Sequence, residues 1–299
     1  MPNQEMLAKV KNANGFIAAL DQSGGSTPTA LKGYGYKGDE WSSDEEMYDL
    51  VHKMRVRIMS SPVFTGEKVL GAILFERTMD GEAHGQPVPA YLWSKGVVPF
   101  LKIDKGLADE ANGVQLMKPM PELDDLLSRG VQKGIFGTKE RSVIHHANPA
   151  GIADVVAQQF EVAKQVLGHG LVPIIEPEVN IKSTERGAAD ELLRDEILRH
   201  LDRLPEGSEV MLKLSIPEKP GTYNALIDHP RVLRVVALSG GFSRTDACRD
   251  LARNPGMIAS FSRALLEDLR QDTSEEEFDR SLSEAIDEIY EASTEKAAA

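Results

Sequence analysis

The sequence predicts an α/β chain folded as a single (β/α)8 barrel, the TIM-barrel architecture, with additional N- and C-terminal helices. Three observations predict this fold: a length of 299 residues, eight short apolar segments bounded by turn residues, and helical patterns between several of these segments. We find no linker and no repeat, so residues 1–299 are assigned to one domain. An open doubly wound sheet is the alternative, but no G-x-G-x-x-G motif follows the first segment to support nucleotide binding on such a sheet.

The eight segments have the continuous apolar character of strands that are buried on both faces of a parallel sheet. They are 15–22, 69–78, 97–104, 134–144, 171–179, 209–216, 232–240 and 258–265. Among the helices, one is expected to begin at Ser43, with Glu46 completing a capping box. Others are expected over 151–168 and 189–204, and the last begins near Thr273. The final seven residues, STEKAAA, are expected to fray.

The composition excludes several classes of protein. Hydrophobic residues make up 41% of the chain and charged residues 27%, which is typical of a globular protein. A formal net charge of −13 repels nucleic acid and anionic lipid, so we expect neither as a partner. No apolar run is long enough to span a membrane and no secretion signal is seen, so a cytoplasmic protein is expected. Cys248 is the only cysteine, which excludes an internal disulfide.

Charged residues occupy the C-terminal halves of seven of the eight segments. Burying unpaired charges there is costly, and this is the end of a barrel where active sites are built. The residues concerned are Asp21, Glu76, Arg77, Lys102, Asp104, Lys139, Arg141, Glu176, Glu178, Lys213 and Arg263. Because strand side chains alternate, Lys213 faces the barrel interior if Leu212 and Leu214 face the helices. The pattern therefore predicts a catalytic site.

Lys213 is a candidate nucleophile for imine chemistry. Burial and neighbouring cations favour the neutral amine, which attacks carbonyl carbons. The resulting iminium withdraws electrons, so a C–C bond beside the former carbonyl can break. Carboxylates such as Asp21, Glu176 and Glu178 would move the protons. The alternative role for Lys213 is a structural ion pair with Glu176 or Glu178.

A phosphate site is predicted where the seventh segment ends in Ser239, Gly240 and Gly241 just before a helix. Arg263, on the eighth segment, is placed to complete it. His145 and His146 invite comparison with a metal site. Adjacent strand residues point to opposite faces, however, so we expect no metal there.

Seven motifs occur in a fixed order between about Gly15 and Leu266: ALDQSGGS, FLKIDKG, GTKER, VPIIEPEV, MLKLSIP, LSGG and SFSRAL. In combination they resemble the class I fructose-1,6-bisphosphate aldolases, most closely the short bacterial type. This resemblance implies reversible cleavage of fructose 1,6-bisphosphate to dihydroxyacetone phosphate and glyceraldehyde 3-phosphate, in glycolysis and gluconeogenesis. It implies a lysine Schiff base with no cofactor and no metal. The expected partners are a phosphorylated sugar substrate and further copies of the chain in a homo-oligomer.

The resemblance also implies a role for each residue of the motifs. Lys213 would form the Schiff base, Glu176 beside Glu178 would act in carbinolamine dehydration, and Asp21 would take the proton of the C4 hydroxyl. The implied catalytic residues are Lys213, Glu176, Asp21, Glu178 and Lys139. The implied binding residues are Arg141 for hydroxyls and phosphate, Ser239, Gly240 and Arg263 for the C1 phosphate, and Ser23, Ser26 and Lys102 for the C6 phosphate.

The sequence departs from the vertebrate members of that family at three places. Ala30 stands where those enzymes carry a basic residue near the C6 phosphate, and Ser262 replaces a glycine of the phosphate loop. The sequence also ends soon after Tyr290, which we expect to be an ordinary helix residue rather than a substitute for a terminal catalytic tyrosine. The alternatives are another Schiff-base barrel, such as a transaldolase or deoxyribose-phosphate aldolase, and a catalytically silent binding scaffold.

Overall fold

The computed structural model of the chain describes residues 2–23 and 27–297. Within these ranges, eight parallel strands lie side by side in the order of the sequence. They are β1 (Phe16–Leu20), β2 (Val69–Leu74), β3 (Val98–Lys102), β4 (Gly137–Ile144), β5 (Val172–Val179), β6 (Val210–Ser215), β7 (Val232–Leu238) and β8 (Met257–Ala259). The backbone N–H of Ala19 donates to the carbonyl of Phe261 at 3.1 Å, which links the first strand to the chain just beyond the last. The predicted barrel is therefore confirmed.

Helices surround the strands, and one precedes the barrel. They are α1 (Gln4–Asn12), α2 (Thr27–Tyr34), α3 (Asp44–Ser60), α4 (Glu76–Asp80), α5 (Val88–Ser94), α6 (Leu123–Gln132), α7 (Pro149–Gly168), α8 (Arg186–Leu201), α9 (Asn224–Ile227), α10 (Arg244–Ala252), α11 (Arg263–Leu266) and α12 (Glu275–Thr294). None of those within the described ranges is both long and apolar enough to cross a membrane.

Two hydrophobic cores determine which end of the barrel is open to chemistry. The larger core lies between the strands and the helices and includes Leu212 and Leu214. The smaller core fills the barrel interior, where Phe100 and Met211 pack with Val10 of α1. Because α1 covers the N-terminal ends of the strands, polar side chains collect at the opposite, C-terminal ends.

The capping box at α3 is shifted by one residue from its predicted form. The Ser43 hydroxyl accepts from the Glu46 backbone N–H at 3.2 Å, as predicted. The Glu46 carboxylate, however, accepts from the backbone N–H and the hydroxyl of Ser42, at 2.6 and 2.7 Å. The Ser43 contact satisfies an N–H group that the first turn leaves without a helical partner, and the Glu46 contact fixes the residue before the N-cap.

Two strands end at least four residues earlier than the sequence predicts, at residue 74 instead of 78 and at residue 259 instead of 265. The second stops at Leu74, and Glu76 begins α4. The eighth stops at Ala259, so Arg263 lies in the first turn of α11 rather than on a strand. Residues 260–262 alternate like a strand although β8 has ended, so local sequence does not reveal where its pairing stops.

The expected fraying of the last residues is wrong as far as residue 297. The Lys296 ammonium donates to the carbonyls of Met257 and Ala292, both at 2.7 Å, and this contact ties the end of the described chain to the start of β8. Tyr290 lies at the same end of the barrel, with its ring centroid 5.8 Å from the Nζ atom of Lys68. The ring is therefore remote from the C-terminal ends of the strands.

Candidate active site

Four buried side chains form a continuous polar cluster across the C-terminal end of the barrel. Lys139 Nζ lies 2.7 Å from Asp21 Oδ2 and 3.0 Å from Glu176 Oε2. The other oxygen of Glu176 lies 3.1 Å from Lys213 Nζ. The four residues are exposed by only 3–8%. Glu176 therefore connects two lysines, and Lys139 connects two carboxylates.

Strand register explains how distant parts of the sequence meet here. Lys102 of β3 is level with Lys139 of β4, and Arg141 is level with Glu176 of β5. Lys213 alternates with Leu212 and Leu214, which belong to the core facing the helices. Its side chain therefore points into the barrel, as the alternation predicts.

The charges in this polar cluster shift one another's pKa values. Burial alone would raise the pKa of Asp21, but the charges of Lys139, Lys213 and Lys102 outweigh burial and hold that pKa below its usual range. Burial would likewise lower the pKa of Lys139, but Asp21, Glu176 and Asp104 raise it above its usual value. Asp21 is consequently ionised and Lys139 charged at neutral pH.

Two further ion pairs flank this polar cluster. Lys102 Nζ lies 2.8 Å from Asp104 Oδ1, and the second oxygen of Asp104 lies 3.9 Å from Lys139 Nζ. Arg141 Nε lies 2.5 Å from Glu178 Oε2. Asp104, which the sequence placed only among the charged residues at strand ends, is thus buried within the cluster.

The predicted phosphate loop follows β7. Gly240 and Gly241 adopt φ angles of 60° and 113°, and a Cβ atom on Gly240 would lie 2.6 Å from Ile181 Cγ2, so glycine is needed there. Arg263 Nη2 would lie only 3.3 Å from a Cβ atom on Gly241. The guanidinium is therefore beside the loop, although α11 rather than β8 carries it. Ser239 is buried at the start of the loop.

The loop after β1 carries the remaining predicted residues. Ser23 is half-buried and directly follows the Asp21-Gln22 pair. Ser26 lies outside the described residues. The Gln22 side-chain amide donates to the Ser262 hydroxyl at 2.6 Å, which links this segment to the residue before α11.

Other predicted features lie away from this cluster. Glu76 pairs with Lys105 and Arg129. Of the two adjacent histidines, His145 contacts Gln115 at 2.9 Å and His146 contacts Glu185 at 3.1 Å. No group of metal-binding side chains is found among residues 2–23 and 27–297.

Sequence analysis missed two buried charged residues next to the site. Glu140, between Lys139 and Arg141, is fully buried, and burial together with the Asp104 charge raises its pKa well above its usual range. Strict alternation places it on the helix-facing side, which is the one available indication. Arg55 of α3 is 1% exposed. Its position four residues after Val51 and three before Ile58, on the apolar stripe of α3, could have identified it.

Comparison with known proteins agrees with this geometry. The family model described as fructose-bisphosphate aldolase class-I matches residues 10–211. A fructose-bisphosphate aldolase class 1 from Synechocystis sp. is 57% identical over 293 residues, which cover 98% of each chain.

Solved structures extend the similarity to the fold. The fructose-bisphosphate aldolase of Plasmodium falciparum superposes with a TM-score of 0.80 at 19% identity, covering 99% of this chain and 96% of the other. A Schiff-base-forming fructose-1,6-bisphosphate aldolase gives a TM-score of 0.54 at 12% identity, covering 94% and 98%. The match of the family model to most of the chain, together with the 57% identical relative, shows that the chain belongs to the class I fructose-bisphosphate aldolase family.

Proposed function

We propose that the protein is a lyase that cleaves fructose 1,6-bisphosphate reversibly to dihydroxyacetone phosphate and glyceraldehyde 3-phosphate through a Schiff base on Lys213. One observation carries this proposal: Lys213 Nζ, buried within the barrel, lies 3.1 Å from a carboxylate that also contacts a second lysine. An amine in this position can attack a carbonyl, and the carboxylate can exchange protons with the resulting adduct.

The reaction assigns a separate task to each group. Lys213 transfers a proton to the Glu176 carboxylate 3.1 Å away, and the resulting neutral amine adds to C2 of the open-chain sugar. A proton moves from the nitrogen to the oxygen of the adduct to give the carbinolamine. Glu176 then gives its proton to the carbinolamine hydroxyl, which leaves as water. Asp21 then removes the C4 hydroxyl proton, the C3–C4 bond breaks, and its electron pair moves onto the iminium to give an enamine. Protonation of the enamine at C3 and hydrolysis of the imine release dihydroxyacetone phosphate.

Lys139 controls the proton affinity of Asp21. Its 2.7 Å contact keeps the carboxylate ionised but also weakens it as a base. A substrate hydroxyl that enters between the two groups would lengthen this contact and restore basicity to Asp21 at the moment when it is needed. Glu178 would hold Arg141 in place to contact substrate hydroxyls and phosphate.

Two separated sets of donors are suited to the two ends of a bisphosphate. The Ser239-Gly240 loop and Arg263 would bind the C1 phosphate through backbone N–H groups and a guanidinium. Lys102 with Ser23 and Ser26 would bind the C6 phosphate. The pairing of Lys102 with Asp104 would set the position of its ammonium.

The activity can be tested with purified protein. We expect cleavage of fructose 1,6-bisphosphate to exceed that of monophosphorylated sugars and of deoxyribose 5-phosphate, and to persist in EDTA because the imine supplies the electron withdrawal that a metal would otherwise provide. A coupled assay of triose phosphate release measures both. Preference for another sugar phosphate would favour a transaldolase-like or deoxyribose-phosphate enzyme, and absence of cleavage would favour a silent scaffold. Loss of activity in EDTA with recovery on added zinc would contradict the Schiff-base mechanism.

The cellular setting is part of the same proposal. Fructose 1,6-bisphosphate is a substrate of glycolysis and gluconeogenesis, and we propose a cytoplasmic enzyme on that ground. No helix among the described residues could span a membrane. We propose the phosphorylated sugar as its ligand and a homo-oligomer as its assembly.

A further inference from the structure

Arg55 is the largest fully buried side chain of the described structure, and it lies beside the active site. Its Nη1 group donates to the Thr78 hydroxyl at 2.8 Å. Its Nη2 group donates to the carbonyl oxygen of Gln22. The guanidinium therefore connects the loop after β1 to α4, the helix after β2.

The charge of Arg55 has no direct counterion among the residues that the structure describes. Among residues 2–23 and 27–297, no carboxylate lies within ion-pairing distance of its guanidinium. Burial lowers the pKa of Arg55 to about 10 and Asp21 opposes that shift, so the side chain remains charged at neutral pH. A buried cation without a paired anion is costly in a folded protein. This cost suggests that an anion approaches when the site is occupied.

The contacts of Arg55 indicate where that anion would be. Gln22 immediately precedes Ser23 in the sequence, and the proposed function assigns Ser23 to the C6 phosphate. Lys102, the cation assigned to the same phosphate, is already paired with Asp104 at 2.8 Å. A positive charge is therefore needed at this end of the substrate.

We propose that Arg55 is the buried countercharge for the C6 phosphate and so helps to select bisphosphorylated over monophosphorylated substrates. This inference rests on the proposed function. Arg55 is a positioning residue: it holds the Gln22 carbonyl and contributes its charge through the loop without touching the substrate. In a medium of low effective dielectric, such a charge acts on a dianionic phosphate over several ångströms.

The test compares Arg55→Gln and Arg55→Lys on two substrates, fructose 1,6-bisphosphate and fructose 1-phosphate, which lacks the C6 phosphate. We expect Arg55→Gln to lower kcat/KM for the bisphosphate by about 10-fold, mainly through KM, and to change kcat/KM for the monophosphate by less than about 3-fold. Arg55→Lys, which keeps the charge, should recover most of the loss. Lys102→Ala is the positive control, with an expected loss of roughly 10- to 150-fold for the bisphosphate alone.

The outcomes separate this inference from the function on which it rests. If kcat of Arg55→Gln fell equally for both substrates, Arg55 would only order the segment that carries Asp21. This result would overturn the inference. A substrate-selective loss in Lys102→Ala without one in Arg55→Gln would overturn the role of Arg55 and leave the C6 site intact. Selective loss in neither variant would reject both. An inactive wild-type protein would instead reject the proposed function.

A second measurement covers the case in which Arg55→Gln does not fold. A buried lysine loses its charge at lower pH than arginine. In Arg55→Lys, the preference for the bisphosphate should therefore fall between about pH 7 and about pH 9.5 more steeply than in the wild type. Parallel profiles for the two proteins would count against a role for the charge.

Discussion

Lys213→Met is expected to lower kcat/KM for fructose 1,6-bisphosphate by about 10⁴-fold or more, because methionine keeps the length of the side chain but has no amine to attack the C2 carbonyl. The fold should persist, since Glu176 retains Lys139 at 3.0 Å as a charge partner. Steady-state kinetics and thermal unfolding of the variant and wild type provide the measurement.

Lys296→Met is the matched control. Lys296 is a half-buried lysine that donates to backbone carbonyl groups at the opposite end of the barrel. We expect this control to lower stability while the folded fraction keeps nearly full activity. If Lys213→Met retained more than about a tenth of wild-type kcat, Lys213 would be a structural ion-pair residue and not the nucleophile.

Asp21→Asn is expected to lower kcat by about 10²- to 10⁴-fold while Schiff-base formation continues. Asparagine fits the same space but cannot accept the C4 hydroxyl proton. Reduction of the variant with borohydride in the presence of dihydroxyacetone phosphate should therefore still label the protein, because this half of the reaction does not need the C4 proton to be removed. Kinetics and the extent of labelling are measured on the same preparation.

Asp104→Asn makes the same chemical change at a carboxylate that lies 3.9 Å from Lys139, compared with 2.7 Å for Asp21. We expect a loss of less than about 10-fold in kcat for this variant, since Asp104 has no assigned proton transfer. Similar losses in the two variants would mean that the total negative charge around Lys139 matters, and that Asp21 is not the specific base.

The inner face of the barrel was predictable from sequence because alternation along parallel strands is strict. Lys213 was placed correctly on the interior face by Leu212 and Leu214, and the same alternation put Lys139 on one face with Arg141. Local sequence does not determine where a strand stops. Ser260, Phe261 and Ser262 alternate like a strand, but the contacts of the barrel end β8 at Ala259 and place Arg263 on a helix.

Buried charged residues that do not face the barrel interior were harder to predict. Arg55 occupies an apolar position of a helix and belongs to no strand-end pattern, so its position beside the first loop depends on how α3 packs. Glu140 faces the helix layer, where alternation predicts an apolar residue, and its high pKa follows from burial that only the packed structure shows. Periodicity places both residues on buried faces, but it does not show which groups they contact there.

Covalent trapping tests the central claim most directly. The wild-type protein is incubated with dihydroxyacetone phosphate, reduced with borohydride and mapped by peptide mass spectrometry. We predict that Lys213 is the modified residue and that activity falls in proportion to its labelling. Lys139 is the informative competitor, because it is equally buried and contacts the same Glu176 carboxylate. Modification of Lys139 with Lys213 intact, or no modification at all, would contradict the account.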